Sequence, residues 1–194
     1  MPRSFALVTL CLLMGQVACS TVLPVFGYPP HATRRAPPPD ISERAQNKQA
    51  QVPALNLRTT SDVVDLSRQK KPLALFFFRG HWCPHCRRQL EDLNTQVQDL
   101  DQLRVRLIAI SADDASAAQK LRQRLDLRFD LSGDPELEAI RAFGVLDEEN
   151  EIAWPALFVI DQGAIVYRWI AKDLARRREA AELVQDIRSS IATR

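Results

Sequence analysis

Two cysteines three positions apart constrain the fold of this chain more than any other feature of its sequence. Cys83 and Cys86 lie in the segment HWCPHC, residues 81–86, which comes just after the apolar run PLALFFF at residues 72–78. A continuous apolar run of this length is typical of a strand that is covered on both faces of a sheet. Cys83 is therefore predicted where a buried strand gives way to a helix, with Pro84 at the first helical position.

The apolar residues after the cysteines recur with the periods of alternating helices and strands. Those directly after HWCPHC follow steps of three and four, as expected for one face of a helix: Leu90, Leu93, Val97 and Leu100. The further predicted elements are a strand at 105–111, a helix at 115–125, a short strand near 129–131, a helix at about 135–143, strands at 156–161 and 164–170, and a closing helix at about 180–191. This order predicts an α/β fold with a central mixed sheet flanked by helices.

The first 20 residues have the character of a targeting segment. Arg3 precedes an apolar stretch at 5–14, which is far shorter than the roughly 20 residues that a spanning helix needs. Ala18 and Ser20 place small residues at the two positions that a signal peptidase inspects. The chain is therefore expected to be exported, and to be periplasmic or secreted after cleavage.

Two alternatives remain for this segment. QVAC resembles a bacterial lipobox with Cys19 as the lipidated residue, although Gln16 stands where that motif usually has an aliphatic side chain. Lipidation would anchor the protein to a membrane through Cys19. The other alternative is an uncleaved helix on the membrane surface.

Composition divides the rest of the chain into a tether and one domain. Residues 21–52 are rich in proline and poor in large apolar side chains, which is typical of a flexible linker. Residues 53–194 are then predicted to form a single folded domain. A formal net charge of +2 gives no argument for nucleic acid as a partner, and the short run of arginines at 176–178 is interpreted as a solvated face.

The chemistry of the cysteine pair is narrowed by what surrounds it. A zinc site needs four ligands, and the domain offers one CxxC with two nearby histidines and no distant Cys/His pair. A structural disulfide across so short a loop would remove little entropy from the unfolded chain. The pair therefore indicates redox chemistry, and no metal or other cofactor is expected.

The two thiols are predicted to be unequal. Cys83 would face the unpaired amide groups at the helix N-terminus, which stabilise a thiolate, whereas Cys86 lies one turn further into the helix. Protonated His85 and nearby Arg79 would add positive potential, with an exposed helix-start residue as the alternative for His85. Trp82 is interpreted either as a packing residue or as a lid over the substrate.

These residues also resemble a known family. A strand followed by WCxxC at a helix start, with Pro155 before the strand ALFVID, resembles the thioredoxin superfamily. FFFRGHWCPHC, DLSGDPELEAIRAFGVLDEENEIAWPALFVID and AIVYRW are similar to the peroxiredoxin-like branch of the AhpC/TSA proteins, over roughly residues 52–186. The resemblance implies a redoxin fold, with Cys83 as the attacking thiol, Cys86 as its partner and Pro155 as a cis proline that shapes the substrate groove.

The chain departs from the peroxiredoxin pattern at two places. The motif PxxxTxxC would put a proline and a threonine where this sequence has Phe76 and Gly80, so the hydroxyl that holds a peroxide is missing. The arginine that peroxiredoxins bring beside the thiolate corresponds to Trp154, which is interpreted as apolar surface for a protein client, with a core residue as the alternative. Arg79 is the candidate to replace that charge. CPHC is identical to the motif of strongly oxidising periplasmic disulfide enzymes.

Three functions therefore stay open. The first is a thiol peroxidase with antioxidant activity, which reduces a hydroperoxide through Cys83 and Cys86. The second is a thiol-disulfide oxidoreductase that acts on protein disulfides. The third is a non-catalytic, tethered redoxin domain that binds a partner. Either enzyme would require a thiol reductant or a redox partner protein.

Overall fold

The computed structural model describes residues 51–174 and 177–192. The predicted signal peptide, the lipidation alternative at Cys19 and nearly all of the proline-rich linker lie outside these residues. Within them, no helix is both long enough and apolar enough to cross a membrane.

The described residues form short strands and helices in the predicted alternation. The strands are β1 (Asn56–Arg58), β2 (Val63–Asp65), β3 (Leu73–Phe77), β4 (Arg106–Ser111), β5 (Asp130–Gly133), β6 (Leu146–Asp147), β7 (Ile152–Ala153), β8 (Ala156–Asp161) and β9 (Ala164–Ile170). The helices are α1 (Pro84–Thr95), α2 (Val97–Gln102), α3 (Ala115–Arg124), α4 (Glu138–Ala142) and α5 (Ala180–Ala192), with a 3₁₀ turn at Leu66–Arg68.

Five of the strands build one mixed sheet in the order β5, β4, β3, β8, β9. The first three run parallel to one another, because β3 pairs in parallel with β4 and β4 with β5. Both β3 with β8 and β8 with β9 are antiparallel pairs. The predicted α/β fold with a central mixed sheet is therefore confirmed.

Side chains of β3 alternate between two cores, one on each face of the sheet. Phe76 and Phe78 belong to the core that also contains Cys83, Cys86 and the apolar faces of α1, α3 and α5, which we call the cysteine-side core. Phe77 belongs to the opposite core, which contains α4 and the β1–β2 hairpin. The sheet is thus covered on both faces, as its apolar run predicts.

The structure contains a helix break and two short hairpins that the spacing of apolar residues does not predict. The helical segment after the cysteines is broken at Gln96, whose N–H donates to the carbonyl of Leu93 and separates α1 from α2. The hairpins β1–β2 and β6–β7 were not predicted. Their strands have two or three residues each, which is too short to show a period.

Candidate active site

Cys83 lies at the junction of a central strand and a helix. After β3, the N–H of Phe78 still donates to the carbonyl of Ile110 at 2.9 Å, and the N–H of Cys83 donates to the carbonyl of Gly80 at 3.1 Å. Cys83 is the N-cap of α1, and Pro84 is the first residue of that helix. Proline suits this position because its missing N–H would have no partner inside the helix.

The loop before Cys83 is held by a carboxylate from the loop that follows β4. Asp113 accepts the backbone N–H of His81 at 2.7 Å and contacts Nδ1 of the same residue at 2.6 Å. The hydroxyl of Ser111 donates to Asp113 at 2.7 Å. Because β3 and β4 are parallel, both loops leave the same edge of the sheet, and this edge carries the cysteines.

The sulfur of Cys83 is surrounded by groups that stabilise its negative form. The thiol of Cys86 hydrogen-bonds to it, and the backbone N–H of Cys86 donates to it at 3.4 Å. Arg177 and Arg79 add positive potential, while burial acts in the opposite direction. Together they lower the pKa of Cys83 to about 6, so this thiol is ionised at neutral pH.

The surroundings of Cys86 stabilise its protonated form. Its side chain is 0% exposed, and burial raises the pKa of its thiol well above the ordinary value. The hydrogen bond that it gives to Cys83, and the charge there, raise it further. Both cysteines are free thiols. The pair therefore consists of one thiolate and one protonated thiol that donates to it.

Arg177 is the residue that the sequence did not reveal. Its Nη1 lies 3.3 Å from the sulfur of Cys86, and its Nη2 lies 3.9 Å from the sulfur of Cys83. The interpretation of residues 176–178 as a solvated face is therefore wrong for Arg177, which is half-buried against the thiols. A run of three arginines is most simply explained by solvent exposure, and no spacing connects it with a motif 91 residues away.

Contacts with α1, α5 and β9 hold the segment around Arg177 in place. Gln89 of α1 donates to the carbonyl of Arg178 at 2.9 Å and accepts from Nη1 of Arg177 at 3.3 Å. Arg178 pairs with Asp186 of α5, which also accepts the hydroxyl of Tyr167 from β9 at 2.6 Å. These contacts hold the Arg177 guanidinium over the start of α1.

Arg79 and Trp82, which lie in the loop before Cys83, contact each other. The guanidinium carbon of Arg79 lies 5.0 Å from the centre of the Trp82 ring, and Arg79 is buried. A Cβ atom added at Gly80 would lie 2.6 Å from Nε1 of Trp82. The indole therefore occupies the space that a threonine side chain at this position would need.

His85 lies at the protein surface, and Phe76 lies in the core. His85 is the exposed second residue of α1, and it is not among the groups that shift the pKa of Cys83. Its tuning role stays a prediction. Phe76 is 0% exposed inside β3, so this position contributes to the cysteine-side core.

The interpretation of Trp154 as client surface is wrong, and its alternative as a core residue is confirmed. Trp154 is 1% exposed and packs in the opposite core, while its Nε1 donates to the carbonyl of Ala171 at 2.7 Å. It is neither beside the thiols nor part of a client surface. The sequence position before a proline and a strand indicated an active-site neighbour, but the alternation along the chain turns this side chain to the other face of the sheet.

Pro155 also differs from the expectation. No peptide bond among residues 51–174 and 177–192 is cis, so the predicted cis proline is wrong. Pro155 is buried, and its carbonyl accepts the N–H of Ala171 at 2.9 Å. Its part in shaping a substrate groove stays a prediction.

In the described part of the chain, no group of three or more His, Cys, Asp and Glu side chains is placed to hold a metal ion. The site consists instead of a thiolate, a second thiol in contact with it and two guanidinium groups. Such an arrangement can attack an electrophilic oxygen or sulfur atom and then close to a disulfide.

Known proteins are similar to this chain in sequence and in fold. The alkyl hydroperoxide reductase C of Staphylococcus epidermidis is 30% identical over 109 residues, which are 54% of this chain and 58% of that relative. The chain thus spans less than two thirds of the length of this curated relative.

Solved structures match a larger share of the chain. The crystal structure of Enterococcus faecalis AhpC superposes with a TM-score of 0.67 at 21% identity, covering 75% of this chain and 92% of that one. The reduced 2-Cys peroxiredoxin of Plasmodium vivax superposes with a TM-score of 0.66 at 15% identity, covering 74% and 95%. These matches establish the thioredoxin-like fold seen in peroxiredoxins.

The extent of the family match decides the classification. The profile described as the AhpC/TSA family matches residues 43–168, which include β1 to β8 and both cysteines. This range is more than half of the chain. The chain belongs to the AhpC/TSA family.

Proposed function

We propose that this chain is a thiol peroxidase in which Cys83 attacks a hydroperoxide and Cys86 closes the disulfide. The observation that carries the proposal is a thiolate at Cys83 that lies beside two guanidinium groups and is only 2% exposed. A small oxidant can reach such a sulfur more easily than a folded protein can. The name of the S. epidermidis relative, alkyl hydroperoxide reductase C, supports the same class of substrate.

In the first step the Cys83 thiolate attacks one oxygen of the hydroperoxide. A sulfur–oxygen bond forms and the oxygen–oxygen bond breaks, so Cys83 becomes a sulfenic acid and the leaving alkoxide takes a proton to become an alcohol. Negative charge builds on the leaving oxygen. Arg177 and Arg79 supply the positive potential that would stabilise it.

In the second step Cys86 attacks the sulfur of the sulfenic acid. Its proton and the departing hydroxide form water, and the two sulfurs form a disulfide. An external thiol reductant or a redox partner protein then returns two electrons and two protons to the pair. Cys86 is suited to this step because it already hydrogen-bonds to the sulfur that it must attack.

A second candidate is a thiol-disulfide oxidoreductase that uses the same two thiols. The specific observation in its favour is that position 80 carries no hydroxyl and that a side chain added there would clash with the indole of Trp82. Cys83 at a helix N-terminus would be equally reactive towards a disulfide. The two candidates differ only in the atom that Cys83 attacks, which is an oxygen of a hydroperoxide in the first and a sulfur of a protein disulfide in the second.

The substrate can be decided by two assays on one preparation. We expect the wild-type chain to consume hydrogen peroxide or an organic hydroperoxide with dithiothreitol as reductant, much faster than it reduces insulin. Insulin turnover without peroxide consumption would refute the peroxidase and leave the oxidoreductase. Absence of both activities in folded protein would indicate the non-catalytic binding module.

We also propose that the protein acts outside the cytoplasm. The support is the apolar segment at 5–14 with small residues at its exit. Intact-mass analysis of protein from its native host is expected to give a chain that starts at Thr21, or a diacylated or triacylated Cys19 if the lipobox is used. An unprocessed chain that starts at Met1 and is recovered from the cytoplasm would overturn the proposal.

A further inference from the structure

The guanidinium of Arg177 contacts the two sulfurs unequally. We propose that Arg177 is a catalytic residue of the second step, in which it stabilises the Cys86 thiolate as that thiolate attacks oxidised Cys83. The inference deepens the proposed function and rests on it only in requiring that Cys83 becomes oxidised. It assigns a cation to the resolving thiol in addition to the attacking one.

The distances favour Cys86 as the partner of Arg177. Nη1 lies 3.3 Å from the Cys86 sulfur, whereas Nη2 lies 3.9 Å from the Cys83 sulfur. Cys86 is 0% exposed, so water cannot solvate its thiolate. The charged groups that act on Cys86 are Cys83 on its own helix and Arg177 on the segment before α5, whereas Arg79 acts on Cys83.

Oxidation of Cys83 removes a negative charge and so favours ionisation of Cys86. In the reduced pair, the negative sulfur of Cys83 accepts a hydrogen bond from the Cys86 thiol, and this bond and the negative charge oppose the ionisation of Cys86. A sulfenic acid or a mixed disulfide at Cys83 has no such charge. Burial still opposes ionisation of Cys86, whereas the hydrogen bond and the charge of Arg177 favour it. Arg177 thus becomes the main support of the second thiolate only after the first step.

The guanidinium is also held in place before oxidation. Nη1 donates to Oε1 of Gln89 at 3.3 Å, and Nε donates to the carbonyl of Leu174 at 3.3 Å. Gln89 lies one turn after Cys86 on α1 and is buried. A donor fixed in this way needs little reorganisation when charge appears on Cys86, which is the condition for effective stabilisation.

The second step can be isolated without peroxide. One equivalent of methyl methanethiosulfonate converts the Cys83 thiolate into a methylthio disulfide and releases methanesulfinate. Cys86 then attacks the Cys83 sulfur, the Cys83/Cys86 disulfide forms, and methanethiolate leaves with the electron pair. Acid quenching and intact-mass analysis follow the appearance and the decay of the methylthio adduct as two separate rates.

Arg177→Met is expected to slow decay of the adduct by about 10-fold or more, as for a lost donor at a developing anion. Formation of the adduct at pH 8 should change by less than about threefold, because Cys83 is already ionised there. Arg177→Lys should give an intermediate decay rate. The matched control is Arg88→Met, which removes an exposed cation from α1, the helix that contains Cys86, and should leave both rates unchanged.

The pH dependence separates a catalytic role from a structural one. Decay should accelerate as pH rises and Cys86 ionises, and Arg177→Met should move the midpoint of this profile to higher pH. Equal slowing of both steps, or decay as fast as in the wild type, would overturn the inference. If Arg177→Met does not fold, Gln89→Leu is expected to slow decay because the guanidinium loses its support, and an unchanged decay rate would again refute the role.

The outcome is independent of the substrate question. A chain that consumes no peroxide, yet shows decay that depends on Arg177, would refute the peroxidase and leave this inference intact. If the chain consumes peroxide but decay of the adduct does not depend on Arg177, the peroxidase proposal stands and this inference is refuted.

Discussion

Replacing Cys83 with serine is expected to abolish peroxide consumption. A serine hydroxyl is not ionised at neutral pH and cannot become a sulfenic acid, so the loss should exceed about 10³-fold. The measurement is the initial rate of hydrogen peroxide loss with dithiothreitol as reductant. Retention of most of the activity in folded Cys83→Ser protein would show that the attacking group lies elsewhere.

Cys86→Ser is the control that separates the two steps. Without an added thiol, this variant should react once with peroxide and stop with one added oxygen atom on Cys83, because the thiol that closes the disulfide is gone. With a disulfide as the oxidant it should accumulate a mixed disulfide on Cys83. If the Cys86→Ser protein accumulates neither product although Cys83 is consumed, the assignment of Cys86 as the partner thiol is contradicted.

Trp154→Arg is expected to unfold the domain or to destabilise it severely. Trp154 is 1% exposed in the opposite core, and a guanidinium there would be buried without a partner. Substitutions of this kind lower the free energy of unfolding by more than about 4 kcal/mol. Urea denaturation followed by circular dichroism measures the loss.

The matched control is Trp154→Phe, which keeps most of the apolar volume. It leaves the carbonyl of Ala171 without the indole donor, so a smaller loss of about 1–3 kcal/mol is expected. If Trp154→Arg instead folds with normal stability and reacts faster with peroxide, position 154 faces the thiols and its placement in the opposite core is refuted.

Much of the fold could be predicted because the apolar residues repeat with the periods of buried strands and helices. β3, β4 and β8 were anticipated from apolar runs, β9 from the turn that precedes it, and α1 from Pro84 and the spacing of its leucines. The hairpin β6–β7 was not, since strands of two residues are set by tertiary packing. The break at Gln96 was missed because Val97 and Leu100 of α2 continue the steps of three and four that begin in α1.

The candidate site was predictable only where its residues are close in sequence. Cys83 and Cys86 share one motif, and the helix start between them follows from Pro84. Asp113 and Arg177 reach the site through tertiary contacts from 32 and 91 residues away, and no local pattern marks them.

Trp154 illustrates the converse error. Its place in the sequence, directly before Pro155 and β8, indicated an active-site position. The direction of a side chain in an irregular segment before a strand depends on register, and a shift of one residue reverses the face. The positive charge that peroxiredoxins bring from this position is supplied here by Arg177 and by Arg79, the candidate named from the sequence.

The central claim is that the folded protein contains one thiolate at neutral pH and that it belongs to Cys83. Titration of the ultraviolet absorbance of the thiolate tests this claim most directly, with the oxidised protein as the blank, because no reagent has to enter the site. One thiolate per chain should appear with a midpoint at pH about 6 and be lost in Cys83→Ser, while Cys86 stays protonated to much higher pH. A single transition near pH 8.5 for both thiols, at about the value of an unperturbed cysteine, would contradict the account.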